Sequence, residues 1–358
     1  MTSLIIAFLL ILATGWASAL QLPQCRRRVG HLSNLASLRV GKEVCVSTTD
    51  GDASLFDDFI DLLRKNGSSG DGITALIKDI SEKNSKDESE LARIDKLKSW
   101  VDSFRPLPKA VVESMKDFYD VYYTYNSNAI EGNTLSMSET QLVLEYGITV
   151  GGKTLSEHLE VIGHKEAIDY VESLFKKSTA ITEFEIRNIH NLVCRGTMPD
   201  EAGRYRTTDV RASGTEYRYA DSFLVPQLMT DFVNWANRNE GACHPVEFAT
   251  EAHYRFATIH PFRDGNGRVA RLLMNLFLLR AGFPIAVVTN DQRSSYIEAL
   301  VAAQQGGDDE LVLFKNLILE PCAGSLLDLV RFSCTSGDSK GKGGAFYREF
   351  LASIDIES

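Results

Sequence analysis

Apolar and polar positions alternate along most of this chain at helical spacing. From Lys109 to Ile130 apolar and aromatic residues recur every three or four places, at Val112, Met115, Phe118, Val121, Tyr122 and Tyr125, which predicts one long amphipathic helix. A second apolar helix is predicted through Leu272, Leu273, Leu276 and Leu279, stopped by Gly282 ahead of Pro284. Before Pro106 and Pro108 the texture is looser. Short amphipathic stretches such as Leu55–Leu63 and Ile73–Ile80 alternate with Gly, Ser and Asp clusters, and no repeat of fixed period runs through them. One stretch departs from helical spacing: Thr207–Ala212 and Glu216–Tyr219 read as two short strands about a turn at Ser213-Gly214-Thr215. The chain is therefore expected to be mainly α, with one small β-hairpin and a flexible tail after Cys334.

The first apolar run follows another rule. Ser3 to Leu20 carry no charge, which fits a secretory signal peptide or an N-terminal membrane anchor at the length limit for a spanning helix. Small residues at Ala17 and Ala19 favour cleavage after Ala19, while Arg26, Arg27 and Arg28 follow the run instead of preceding it. Either fate sends the bulk of the chain into the secretory pathway. Six cysteines suit that compartment but are too sparse for a disulfide-built fold, and local pairs Cys25 with Cys45 and Cys322 with Cys334 stand open beside buried free thiols. Asn66-Gly67-Ser68 is a glycosylation sequon, and Asp355-Ile356-Glu357-Ser358 is no retrieval signal.

With 44% hydrophobic residues over 358, the chain has material for a real core, which excludes global disorder. Its 38 Lys and Arg against 48 Asp and Glu leave a formal charge of −10, which argues against nucleic acid as a partner.

The candidate chemistry sits where the second helix begins. The stretch reads His260-Pro261-Phe262-Arg263-Asp264-Gly265-Asn266-Gly267-Arg268-Val269-Ala270-Arg271. Gly265, Asn266 and Gly267 would let backbone N–H groups converge at the positive end of the helix, a ready anion site. Asp264 is a hard carboxylate suited to Mg²⁺ or Mn²⁺. Arg268 and Arg271, three apart, can grip anionic oxygens from one side. His260 is an imidazole able to take a proton from an attacking hydroxyl. These parts suit phosphoryl or nucleotidyl transfer. A rival motif, Gly147-Ile148-Thr149-Val150-Gly151-Gly152-Lys153-Thr154, matches the P-loop pattern, but it lacks the alternating strand and helix context and is expected to be a loop between helices.

The twelve residues from His260 to Arg271 match the signature of the Fic family, and the resemblance runs from about Thr124 to Leu319. It implies a Fic-fold helical bundle that transfers AMP from ATP to a Ser, Thr or Tyr hydroxyl of a target protein, with His260 as general base and Asp264 holding the metal. Gly265, Asn266, Gly267, Arg268 and Arg271 are the implied ATP contacts. Ser127-Asn128-Ala129-Ile130-Glu131-Gly132-Asn133 resembles the family's inhibitory motif, so Glu131, one helical turn from Ser127, is expected to hold Arg271 away from the γ-phosphate. The hairpin takes the place of the family's flap, with Ala212, Ser213, Gly214 and Thr215 at its tip over nucleotide and target. Tyr296 and Gln304 are the implied adenine contacts.

Similarity to the animal endoplasmic-reticulum members implies more: a lumenal Hsp70 chaperone as target, removal of AMP as a second activity, and a homodimer through Lys153-Thr154-Leu155. Their tetratricopeptide repeats have no counterpart in residues 20–105. The expected organisation is a signal peptide or anchor over 1–19, a helical region over 20–105, a linker and inhibitory-helix region over 106–181, a Fido catalytic core over 182–319, and a C-terminal helix and tail over 320–358. Three alternatives stay open: a Fic enzyme using another nucleotide or phosphate donor, a secreted Fic effector, and a chaperone-binding regulator with residual activity.

Overall fold

A helix buried on every side organises the structure, a computed structural model that describes residues 90–103, 105–177, 179–211, 217–306 and 308–335. Among them run ten α-helices: α1 (Glu90–Ser103), α2 (Lys109–Ile130), α3 (Met137–Tyr146), α4 (Leu155–Lys177), α5 (Glu183–Cys194), α6 (Val225–Asn239), α7 (Pro245–Ile259), α8 (Asn266–Arg280), α9 (Arg293–Gly306) and α10 (Asp308–Thr335). The N-terminal apolar run, the sequon, Cys25, Cys45 and the flexible tail lie outside the described residues. No helix among the described residues is long and apolar enough to cross a membrane.

The buried helix is α8. Leu272, Leu273, Met274, Leu276 and Leu278 are all inaccessible, and each contributes about 1.5–3 kcal/mol by leaving water. A helix apolar on all sides belongs in the centre, and α4, α5 and α7 pack around it. One stripe of α8 is nevertheless polar: Arg268, Arg271 and Asn275 are buried at spacings of three and four. Asn275 closes its part by bonding both the N–H and the carbonyl of Ala286.

Helix α2 has the bounds that its apolar period predicts, yet its buried face is rotated from the expected one. Val112 is half exposed, while Val111, Met115, Tyr119 and Tyr123 point inward. Its last two turns are buried through polar residues, Thr124, Asn126, Ser127 and Asn128. Hydrogen bonds meet part of their demand: Asn126 donates to the Tyr122 carbonyl and accepts from the Asn290 N–H, and Asn128 donates to the Thr124 carbonyl while its Oδ1 is left without a partner.

The chain divides into two compact units, Glu113–Leu329 and a second formed by 1–112 with 330–358. The first joins the expected inhibitory-helix region and catalytic core in one body. The hairpin takes a different form. No strand occurs among the described residues, and 212–216 lie outside them. The flanks 207–211 and 217–221 are tied through side chains instead of a backbone ladder: Arg206 donates to the carbonyls of Thr208 and Ala220, and Asp209 accepts from the Ser222 N–H. Cys322 and Cys334 both lie on α10, and twelve residues of helix separate them by about 18 Å, far beyond disulfide reach. Cys322 is a buried free thiol.

Candidate active site

The loop between α7 and α8 is built from its own residues. Helix α7 ends at His260, whose left-handed backbone (φ 51°) is the sole positive φ outside glycine among the described residues, and Pro261 blocks continuation. Asn266 then folds its carboxamide back, accepting from the Phe262 N–H at 2.9 Å and donating to the Phe262 carbonyl at 2.9 Å. Its side chain is thus spent on closing the loop, and only its backbone N–H is left to the expected anion nest. Gly265 is required twice over. Its φ is 74°, and a Cβ there would lie 2.7 Å from the Cys194 sulfur.

From Gly265 the chain enters α8 with its first N–H groups lacking helical partners, as at every helix start. Above them the two arginines differ. Arg268 is buried, with its Nε and Nη1 without a hydrogen-bond partner and its Nη2 3.6 Å from Asp264. A buried guanidinium left so incompletely paired is costly without an anion. Arg271 is the opposite, fully engaged. Its Nε donates to Ser127 Oγ at 3.1 Å, its Nη2 to the Ser127 carbonyl at 2.8 Å and to Glu131 Oε1 at 2.7 Å, and its Nη1 reaches the Tyr296 hydroxyl at 3.4 Å. Burial opposes its charge, but the Glu131 carboxylate prevails and holds its pKa above the ordinary guanidinium value.

Glu131 stands one residue beyond the end of α2, its N–H bonded to the Asn128 carbonyl. Its carboxylate lies so close over α8 that a Cβ at Gly267 would collide with it. The expected pair of Glu131 with Arg271 is present, and the carboxylate sits at the mouth of the anion nest.

His260 is neutral in this setting. Burial pushes its pKa down to about 4, the Arg206 charge adds to that effect, and the carboxylates of Glu131 and Asp264 oppose it. Nδ1 lies 3.3 Å from the Ala257 carbonyl, which can only accept, so Nδ1 carries the proton and Nε2 keeps its lone pair. Asp264 is exposed. Its Oδ1 accepts from the Gly265 N–H at 2.7 Å and its Oδ2 lies 3.6 Å from Arg268 Nη2, a hard carboxylate beside the nest whose chemistry fits a divalent cation.

Other predicted residues fall less simply. Tyr296 is only 3% exposed, with its hydroxyl 2.8 Å from His253 Nε2. So enclosed, its ring supports Arg271 and offers no open face to an adenine. Gln304 reaches Thr258 on α7 at 3.5 Å. Ala212, Ser213, Gly214 and Thr215 lie outside the described residues. The P-loop-like stretch is a loop between α3 and α4, as expected: Lys153 is held by Thr134 and Glu139, and Thr154 bonds Glu157 at the start of α4. Leu155 is strongly exposed. Asp120, Asp169 and Glu172 also converge, but Lys116 and Lys165 pair with them.

Three supporting residues were not singled out in the sequence. His190 on α5 donates from Nε2 to the Asp264 carbonyl at 3.0 Å, accepts at Nδ1 from the Gly203 N–H at 2.8 Å, and stacks on Phe262 at 3.7 Å. Tyr219 stacks on the His260 ring at 4.0 Å, and Arg206 donates to the His260 carbonyl at 2.8 Å. The signal available was Gly203-Arg204-Tyr205-Arg206, a run whose second arginine turns out to face inward.

A model of the Fic/DOC family matches residues 180–278. The chain is similar to Protein adenylyltransferase Fic of Nematostella vectensis, 41% identical over 217 residues that cover 60% of this chain and 50% of that protein. It is also similar to the protein of the same name from Culex quinquefasciatus, 34% identical over 245 residues, 68% and 48% of the two chains. The chain thus spans about half the length of the curated relatives it matches. Among solved structures, a Fic domain containing signaling protein from Bacteroides thetaiotaomicron is similar with a TM-score of 0.64 at 29% identity, covering 68% of this chain and 97% of that one. Fic-1 from C. elegans is similar with a TM-score of 0.57 at 28% identity, covering 80% and 75%.

Proposed function

We propose that this chain, which carries a Fic/DOC family domain over residues 180–278, is a protein adenylyltransferase that moves AMP from ATP to a hydroxyl of a target protein. The observation that carries the reading is the buried Arg268, with two guanidinium nitrogens unpartnered over the N-terminus of α8 and the neutral His260 on the same loop. A triphosphate would supply the missing acceptors, and the positive end of α8 would face its oxygens. The target hydroxyl attacks the α-phosphorus, His260 Nε2 takes its proton, and the bond to pyrophosphate breaks. Asp264 would hold a divalent ion, which would neutralise phosphate charge there.

In the same reading Glu131 restrains the enzyme, because an Arg271 committed to Glu131 and Ser127 is withheld from the γ-phosphate. The N-terminal apolar run and the likeness to animal adenylyltransferases support a site of action in the secretory pathway, the endoplasmic reticulum lumen in first place, with a lumenal Hsp70 chaperone as target. Removal of AMP from that target, with Glu131 positioning water, and a homodimer through Lys153-Thr154-Leu155 belong to the same proposal. The test is mass spectrometry of lumenal proteins incubated with ATP and either the wild-type or the His260→Ala protein. AMP adducts are expected with the first and none with the second, while ATP binding persists in both. Equal labelling by the two proteins overturns His260 as the base.

A further inference from the structure

We propose that Arg206, acting with Tyr219, is a positioning residue that ties His260 to both arms of the 207–221 segment and so sets the imidazole for proton abstraction. The proposal rests on the reading of His260 as the base for AMP transfer. Arg206 is buried, and its guanidinium donates to three main-chain carbonyls on three different stretches: Nε to His260 at 2.8 Å, Nη1 to Thr208 at 3.2 Å and Nη2 to Ala220 at 2.5 Å. Its own N–H donates to the Pro261 carbonyl at 3.0 Å. The arginine of the 204–206 run that faces inward therefore binds the protein itself and offers no grip to a phosphate.

The three acceptors explain why an arginine is needed. A planar fork with divergent donors spans separate carbonyls, whereas a lysine ammonium is a single point charge. What it holds is strained: the left-handed backbone of His260 persists only when its surroundings fix it. The ring is fixed from the other side by Tyr219, stacked at 4.0 Å with an interplanar angle of 23°, and Tyr219 immediately precedes the Ala220 carbonyl that Arg206 holds. One guanidinium thus governs the backbone of the base directly and its ring through the neighbouring tyrosine. The groups facing the imidazole are Arg206, Tyr219, and the carboxylates of Glu131 and Asp264.

The experiment uses the full chain carrying Glu131→Gly as parent. Arg206→Lys keeps the charge and loses the fork, so kcat should fall about thirtyfold or more with KM for ATP within about threefold, since the α8 residues proposed to bind phosphate are untouched. Arg206→Gln should lose as much, and the acid limb of its kcat profile should move upward from about 4, because a charge that disfavours imidazolium is gone. A kcat within about threefold of the parent in both variants overturns the proposal. So does a loss of kcat that merely follows a lowered fraction of folded, ATP-binding molecules while the acid limb stays in place. If neither variant folds, Tyr219→Leu is measured instead. A loss of about tenfold in kcat supports the proposal, and an unchanged kcat overturns it. Titration of the His260 resonances by NMR in wild type and Arg206→Gln requires no turnover. An unmoved His260 pKa sinks the Arg206 proposal, an upward shift supports it, and a parent that transfers no AMP sinks the transfer reading alone.

Discussion

Replacing Glu131 by glycine removes one ion pair and little else. Glu131 lies just past the last residue of α2, where glycine is well tolerated, and its backbone bond to Asn128 needs no side chain. Arg271 keeps the Ser127 hydroxyl and carbonyl and the Tyr296 hydroxyl as acceptors, so the guanidinium stays hydrogen-bonded although its counter-charge is gone. The lost contact is a charge-assisted bond of 2.7 Å between an arginine 1% exposed and a carboxylate 37% exposed. Such bonds contribute roughly 1.5–3 kcal/mol, and the partial exposure of Glu131 places this one near 2. At about 1.4 kcal/mol per decade, the population of molecules with Arg271 free for the γ-phosphate rises about thirtyfold. Incorporation of labelled AMP into the protein itself, measured as an initial rate at subsaturating ATP, should rise by that order. Thermal unfolding should fall by roughly 4–8 °C for a loss of that size. Glu131→Gln, which keeps the length and loses the charge, should fall between. Equal initial rates in wild type and Glu131→Gly would refute the argument that this contact restrains the site.

Two other outcomes follow from groups whose state burial decides. Arg268→Met removes a buried and incompletely paired charge, so the nucleotide-free protein should melt a few degrees higher, about 1 kcal/mol, while ATP no longer raises its melting temperature. Thermal shift with and without ATP decides this, and a retained ATP shift removes Arg268 from the phosphate site. Burial pushes the pKa values of His253 and His190 down to about 3 and about 4. Below the ordinary value of about 6.5 the unfolded chain binds protons that the folded chain refuses, so the histidine contribution to stability is complete above that pH and is lost as pH falls toward 4. Melting curves between pH 7.5 and 4.5 for wild type and His253→Gln test this. The variant should lose less stability over the range, and parallel curves would contradict it.

What could be read from residues in a row was what the row itself enforces. The bounds of α2 follow from its apolar period, and the anion loop follows from glycines and charges packed into twelve places. The pairing of Glu131 with Arg271 was reached through resemblance, since nothing in local spacing connects residues 140 apart. Contacts that depend on distant packing were misread or missed. Tyr219 belongs to a stretch that alternates as a strand does, yet its arms are joined by the Arg206 side chain, and the ring faces His260. Tyr296 lies in a segment that resembles an adenine contact, but His253 and Phe314 enclose it. His190 carried no motif that the chemistry required, and its importance arises from reaching Asp264 across 74 residues.

The ring that Asn266 closes with Phe262 spans four residues, whereas the contact of Glu131 with Arg271 closes a loop of 140. Loop-closure entropy separates the two by about 3 kcal/mol, and contacts between distant segments form late in folding. The Asn266–Phe262 ring can close from its own neighbours as soon as α8 begins to form, while the carboxylate just beyond α2 must wait for the two segments to meet. A molecule on its way to the native state is therefore expected to close this ring before Glu131 reaches Arg271. The timing of assembly, as much as the final geometry, sets when the buried Arg271 first meets its counter-charge.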